Sequence, residues 1–194
     1  MLVWQHRLLN TPIVSLQTGG TLGLLQAPII DPKNLKLEAF YCEGPLIRED
    51  NAVLYSEDIR EYGELGALVN DADVIMPLDE DLVRLQQLTE KNFQLIGKKV
   101  VTEKGHKLGK ITDYTIETDS FIVIKLHVKK PLFQGINDSS FFVDRTQIRK
   151  ITDDTIVVAE ADMKDTPVIQ TGNVVREKIE NPFRKPMPET SDQN

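Results

Sequence analysis

Along Phe121-Ile-Val-Ile-Lys-Leu-His-Val128 the apolar and polar positions alternate. Ile122, Ile124, Leu126 and Val128 fall on one face of an extended chain, and Val123, Lys125 and His127 on the other. The run is rich in β-branched residues, which suit a pleated surface. Further extended runs are predicted over Leu24–Ile30, Leu35–Cys42 and Lys110–Ile116. One stretch carries helical spacing instead: between Asp79 and Asn92, Leu82, Leu85 and Leu88 recur on one side. Asp79 is placed to cap this helix, Glu80 and Asp81 favour its positive end, and Pro77 marks the boundary. Its apolar stripe is narrow, which predicts a linker helix lying on β-structure. After Asp162 the periodicity lapses, apart from Val174-Val175 and Ile179, and Pro167, Pro182, Pro186 and Pro188 punctuate a polar tail. Within it, Asn181-Pro-Phe-Arg-Lys-Pro186 is a candidate linear ligand for another protein, set against a simple solvated terminus.

The strands belong to a repeat. Val14-Ser-Leu-Gln-Thr-Gly-Gly-Thr-Leu-Gly23 matches Val100-Val-Thr-Glu-Lys-Gly-His-Lys-Leu-Gly109 at a constant spacing of 86 residues. Ser56-Glu-Asp-Ile-Arg60 then parallels Arg145-Thr-Gln-Ile-Arg149 at 89, as a loop insertion would produce. Each copy closes on a short apolar run, Gly66-Ala-Leu-Val69 and Thr155-Ile-Val-Val158. Gly19 and Gly105 fall where a hairpin turn needs positive φ, and the Leu-Gly pairs lie where a strand would bend sharply. The segments at Ser56 and Asp144 are too short for a stable helix and predict single helical turns. Some five short strands per copy predict a small closed or nearly closed barrel.

Charge sharpens the contrast between the copies. The net charge of −7 argues against a general nucleic-acid binder. Twelve acids and two bases lie between Glu43 and Asp81, whereas Gly97 to Lys164 holds twelve bases and ten acids. Five of those bases, Lys98, Lys99, Lys104, Lys107 and Lys110, crowd into thirteen residues. They read either as a solvated basic hairpin or as a partner-contact surface. With no apolar run long enough to span a bilayer, membrane insertion is not expected. Met1–Arg7 does not resemble a signal peptide, and the single cysteine, Cys42, permits no internal disulfide, so a cytoplasmic setting is expected.

No catalytic constellation emerges. His6, His106 and His127 have no Cys, His or carboxylate at metal-ligand spacing, and His106 and His127 are expected to be exposed. Cys42 reads as a small buried hydrophobe, because no base is placed to activate it. Asp71, Asp73, Asp153 and Asp154 flank closing strands, where turn residues belong, and Gly19-Gly20 lacks the glycine spacing and following helix of a phosphate loop. The chain is therefore expected not to be an enzyme, with no catalytic, cofactor-binding or metal-binding residue and no cofactor.

The two copies of Val-x(8)-Leu-Gly, each followed by a strand, a turn and a closing strand, resemble PRC-barrel domains. Gly97-Lys-Lys-Val-Val-Thr-Glu-Lys-Gly-His-Lys-Leu-Gly-Lys-Ile-Thr-Asp113 is the closer match, and the first copy departs from it with Asn10-Thr-Pro-Ile at its opening. That family includes the cytoplasmic domain of the reaction-centre H subunit and the carboxy-terminal domain of a ribosome-maturation factor. The resemblance implies an all-β fold: two small PRC-type β-barrels in tandem, joined by a linker helix, with a disordered C-terminal tail. The expected boundaries are 1–75 for a divergent first barrel, 76–95 for the linker with its helix, 96–162 for the second barrel and 163–194 for the tail. It also implies a non-catalytic adaptor or regulatory protein that docks to a macromolecular partner, expected to be a protein. The alternative is a ribosome-maturation-type factor that meets ribosomal protein or RNA through Lys98, Lys99, Lys104, Lys107 and Lys110. Unpaired strand edges and the opposed charges of the halves would permit a homodimer.

Overall fold

The structure, a computed structural model, describes residues 1–47, 51–79, 82–130 and 140–160. The expected tail, 163–194, lies outside them, as do Glu80 and Asp81. The chain is mostly β. The strands are β1 (Leu2–Trp4), β2 (Pro12–Ser15), β3 (Thr21–Asp31), β4 (Lys36–Glu43), β5 (Ala52–Tyr55), β6 (Glu61–Gly63), β7 (Gly66–Val69) and β8 (Ile75–Pro77). After the helix α1 (Val83–Glu90) come β9 (Lys99–Thr102), β10 (Lys107–Glu117), β11 (Ile122–Lys129), β12 (Ser140–Asp144), β13 (Ile148–Ile151) and β14 (Thr155–Val158). Among the described residues no helix is long and apolar enough to cross a membrane.

The sequence repeat is a repeat of strand pairing. In the first copy β2, β3, β4 and β5 pair antiparallel in turn, β7 lies parallel to β2, and β6 pairs with β7. In the second, β9, β10, β11 and β12 do the same, with β14 parallel to β9 and β13 beside it. The irregularities repeat as well. Register shifts follow Leu25 and Ile29 in β3, and Ile111 and Thr115 in β10, at the same spacing of 86. Tyr41 faces Val53 while His127 faces Phe142, so the spacing grows to 89 between β11 and β12. Gly19 and Gly105 have φ of 70° and 82°, as the hairpin turns require.

Three expectations are corrected. First, the sheet does not close. Each copy runs as an open ribbon, β6-β7-β2-β3-β4-β5 and β13-β14-β9-β10-β11-β12, and both belong to one sheet of 14 strands. At the would-be closure Asp144 caps a 3-10 turn over Arg145–Gln147. Its carboxylate accepts from the Thr146 N–H, and its own N–H donates to Gln147 Oε1, so these groups bond locally rather than across to β13. Second, β11 does not keep one alternation. Lys125 faces Thr115 and Val123 faces Ile116, so Ile124 bulges out of the ladder. Val123, Leu126 and Val128 are therefore the buried set, not Ile122 and Ile124. Third, the helix starts at Val83 with Leu82 in the capping position and no side-chain cap. Asp79 enters through its carbonyl, which accepts from Leu82 N–H and Gln86 Nε2.

The copies join on a pseudo-two-fold seam between β4 and β11. Leu37 N–H donates to Phe121 O at 2.8 Å, and Val123 N–H to Leu35 O at 3.0 Å. Those two bonds exchange when each residue is swapped for its equivalent in the other copy. Leu35 and Phe121 are themselves equivalent, both buried, with φ of 56° and 52°. The ring of Phe121 meets that of Phe40 edge-on at 5.7 Å. β1 crosses over: it pairs with β10 of the second copy, Val3 opposite Ile116. One apolar core accordingly draws on both copies, from Ile13, Leu25 and Phe40 to Val123, Leu126 and Ile156. Helix α1 covers the other face of the first copy, where Leu85 and Leu88 pack on Ile29, Ala39 and Val53. Arg84 fastens the helix by pairing with Glu38 at 2.8 Å and Asp31 at 3.5 Å.

Candidate docking cleft

The lysines crowded together in sequence do not form one surface. Lys98 is only 8% exposed; its ammonium donates to the Asp153 carbonyl and sits 4.4 Å from the centre of the Phe93 ring. Lys104 pairs with Glu160 at 2.8 Å, and His106 approaches the same carboxylate at 3.2 Å. Lys107 is exposed, opposite Val101. Lys99 and Lys110 stand directly opposite one another, and Lys110 stands opposite Lys129 on its other side. That row of three lysines across β9, β10 and β11 includes one, Lys129, that the sequence reading did not select.

The larger concentration of positive charge lies elsewhere. The Pro32–Leu35 turn, the chain after α1, and β13 with its flanking turns enclose an open cleft of about 990 Å³. Five cations line it: Lys33, Lys91, Arg145, Arg149 and Lys150. Two carboxylates do so as well, Asp144 and Asp153. Among the described residues none of the five cations has a carboxylate partner. The Arg145 guanidinium is steered by the Asn34 carbonyl at 2.9 Å, across the seam between copies. Bonds from the Thr146 backbone N–H and hydroxyl hold the Asp144 carboxyl below the usual carboxylate range, so it stays ionised and committed to its cap. Lys98 braces the floor from beneath, because both its partners, Phe93 and the Asp153 backbone, belong to the cleft wall. Arg145, Arg149 and Lys150 are neighbours in the chain, but Lys33 and Lys91 arrive from other elements.

A second cluster lies on the outer face of the second copy, at positions equivalent to those that α1 covers in the first. Trp4 stacks near His127 and Phe142, at 5.7 and 5.8 Å between ring centres, and His6 Nδ1 meets Asp113 Oδ2 at 2.5 Å. The expectation of an exposed His127 on a polar face is corrected here: it is half-buried among aromatic rings, with Thr112 Oγ1 at 3.1 Å. Burial lowers the His127 pKa from 6.5, with Asp113 opposing more weakly. The unfolded chain thus takes up this proton more readily than the folded one, and stability is expected to decline as pH falls through 6.5 towards the folded-state value. An NMR titration of the His127 ring should place its midpoint below 6.5; a midpoint at or above that value would contradict the assignment.

Cys42 offers no nucleophile: it is buried, burial pushes its thiol up to about 12, and its Sγ lies 3.5 Å from the Phe40 carbonyl. Compared with known families, residues 90–163 match the PRC-barrel domain, a segment that begins at the end of α1 and contains β9 to β14. A search of curated proteins returns no match.

Proposed function

We propose that the chain is a non-catalytic docking module that receives an acidic segment of a protein partner in the basic cleft. The observation that carries the reading is the gathering of five cations without carboxylate partners, in a chain whose net charge is −7. Two carboxylates line the cleft, yet among the described residues neither pairs with any of the five, which keeps these cations available to outside anions. The Arg145 and Arg149 guanidinium groups present forks suited to carboxylates, while the lysines supply point charges. The PRC-barrel match over residues 90–163 agrees with a docking role, and Lys99 and Lys110, opposite one another, extend the basic character beyond the cleft. Lys99 connects the two features, since its N–H donates to the Asp154 carbonyl beside the cleft wall.

The test uses Arg149→Glu/Lys150→Glu in the full chain, two exposed side chains with no hydrogen bond or ion pair among the described residues. Binding of an Asp/Glu-rich peptide and of a single-stranded RNA of equal charge is measured at low and moderate salt. Peptide affinity is expected to fall about tenfold in the variant, with an unchanged melting temperature. RNA bound more tightly than peptide, with a steep salt slope, would transfer the reading to a ribosome-linked role. Peptide binding indifferent to both substitutions would overturn it.

A further inference from the structure

A separate cavity of about 290 Å³ lies between the copies, bounded by the turn after β1, by β3, by the end of α1 and by β10. Its wall is largely apolar, with Pro28, Ile30, Leu88, Phe93 and Leu95 contributing. Among the described residues no Asp, Glu, Lys, Arg or His lines it. Pro28 and Tyr114 are repeat equivalents and both border the space, so it opens at the junction the duplication created. The exchange of proline for tyrosine puts the Tyr114 side chain on the second copy's side.

Two buried polar side chains there have no partner among the described residues. Tyr114 is 2% exposed and Gln5 is 7% exposed, and neither side chain makes a hydrogen bond within the protein. Among the described residues, the side-chain polar atoms fully sealed from solvent without a partner are Ser56 Oγ and Thr115 Oγ1. The Tyr114 hydroxyl and the Gln5 amide therefore border open volume, and the cavity is the volume they line. Groups that border open volume can bond whatever occupies it, and a ligand with a matching polar atom takes over the bonds that water would otherwise make there. Burial raises the Tyr114 pKa, with the Asp113 charge adding to it, so the hydroxyl remains a donor at ordinary pH.

We propose that this cavity is a binding site for a neutral, mainly apolar small molecule of one or two rings, bearing a carbonyl or hydroxyl that bonds to Tyr114 and Gln5. Neutrality follows from the uncharged wall, since an ion entering would lose its hydration with no counter-charge to replace it. Size follows from the volume, at the lower end of known ligand pockets. A ligand here touches both copies and α1, so binding stabilises the whole fold. This inference stands apart from the acidic partner; the cavity and the cleft share Phe93 as a wall residue.

The probe is acetophenone, with benzoate as the charged comparison, titrated into the full chain and followed by the NMR signals of the Gln5 side-chain amide. Saturable shifts with acetophenone and none with benzoate are expected. Tyr114→Phe, which removes only the hydroxyl, should weaken binding about three- to tenfold. Ala27→Phe, at an exposed position on the rim, should abolish it while leaving the circular dichroism unchanged. Absence of a shift at millimolar acetophenone would overturn the proposal, as would equal binding of benzoate or equal affinity in both variants.

Discussion

Replacing Gly109 by alanine is expected to cost about 2–4 kcal/mol of stability, among the larger effects available to a single methyl group in this chain. Gly109 sits near the start of β10 at φ +156°, and a Cβ there would be driven into the Lys129 carbonyl on β11. That carbonyl is backbone, which cannot swing aside as a flexible side chain can. The equivalent Gly23 has an ordinary φ, and its Cβ would meet the Glu43 carbonyl oxygen at 2.6 Å, so Gly23→Ala should follow the same direction to a smaller extent. Gly105→Ala is the comparison: at φ +82° it keeps the conformational cost but meets nothing within 4 Å, so about 1 kcal/mol is expected. Denaturant unfolding of the three variants separates the two costs. Equal losses at Gly109 and Gly105 would show that the strands do not approach as closely as described.

Leu85→Ala should cost a further class of stability, about 2–4 kcal/mol. Helix α1 has eight residues and no side-chain cap, so it has no independent stability and is held by what it packs against. Leu85 is 1% exposed and, with Leu88, meets Ile29, Ala39 and Val53. Truncating it leaves a cavity under the helix that β-strands on the other side cannot collapse to fill. The loss should appear in hydrogen exchange as early opening of α1. It should also loosen the following residues, Lys91 and Phe93, which line the cleft and the cavity. Unchanged protection across α1 would mean that Arg84 and its pairs with Glu38 and Asp31 hold the helix in place of the apolar contact.

Much of the strand order was legible because duplication writes it twice. The spacing of 86 between Gly23 and Gly109 survives in the ladder down to its bulges, and the shift to 89 reports the loop where the copies diverge. Alternation failed at Ile124 because a bulge changes which side chains face inward without changing residue type. The helix start failed because Asp79 lies one turn too early, and the chain uses its carbonyl.

The two sites were hidden for a different reason. Lys98 to Lys110 are close in sequence, yet the hairpin sends Lys98 inward, pairs Lys104 with Glu160 and sets Lys99 against Lys110. The cleft collects Lys33 and Lys91 with Arg145, Arg149 and Lys150 only after the seam has formed. Gln5 and Tyr114 likewise meet because β1 crosses to β10, a pairing of distant segments that no local pattern encodes.

The exchange of hydrogen bonds between Leu35 and Val123, and between Leu37 and Phe121, makes this seam isologous: one patch meeting its own likeness within a single polypeptide. A patch that is its own complement is consumed when the pair forms. Head-to-tail contacts would leave a free donor surface at one end and a free acceptor at the other, and a third unit could add indefinitely. Here the union is complete at two, so lengthening the protein by another repeat would bring in a unit with no vacant seam to join.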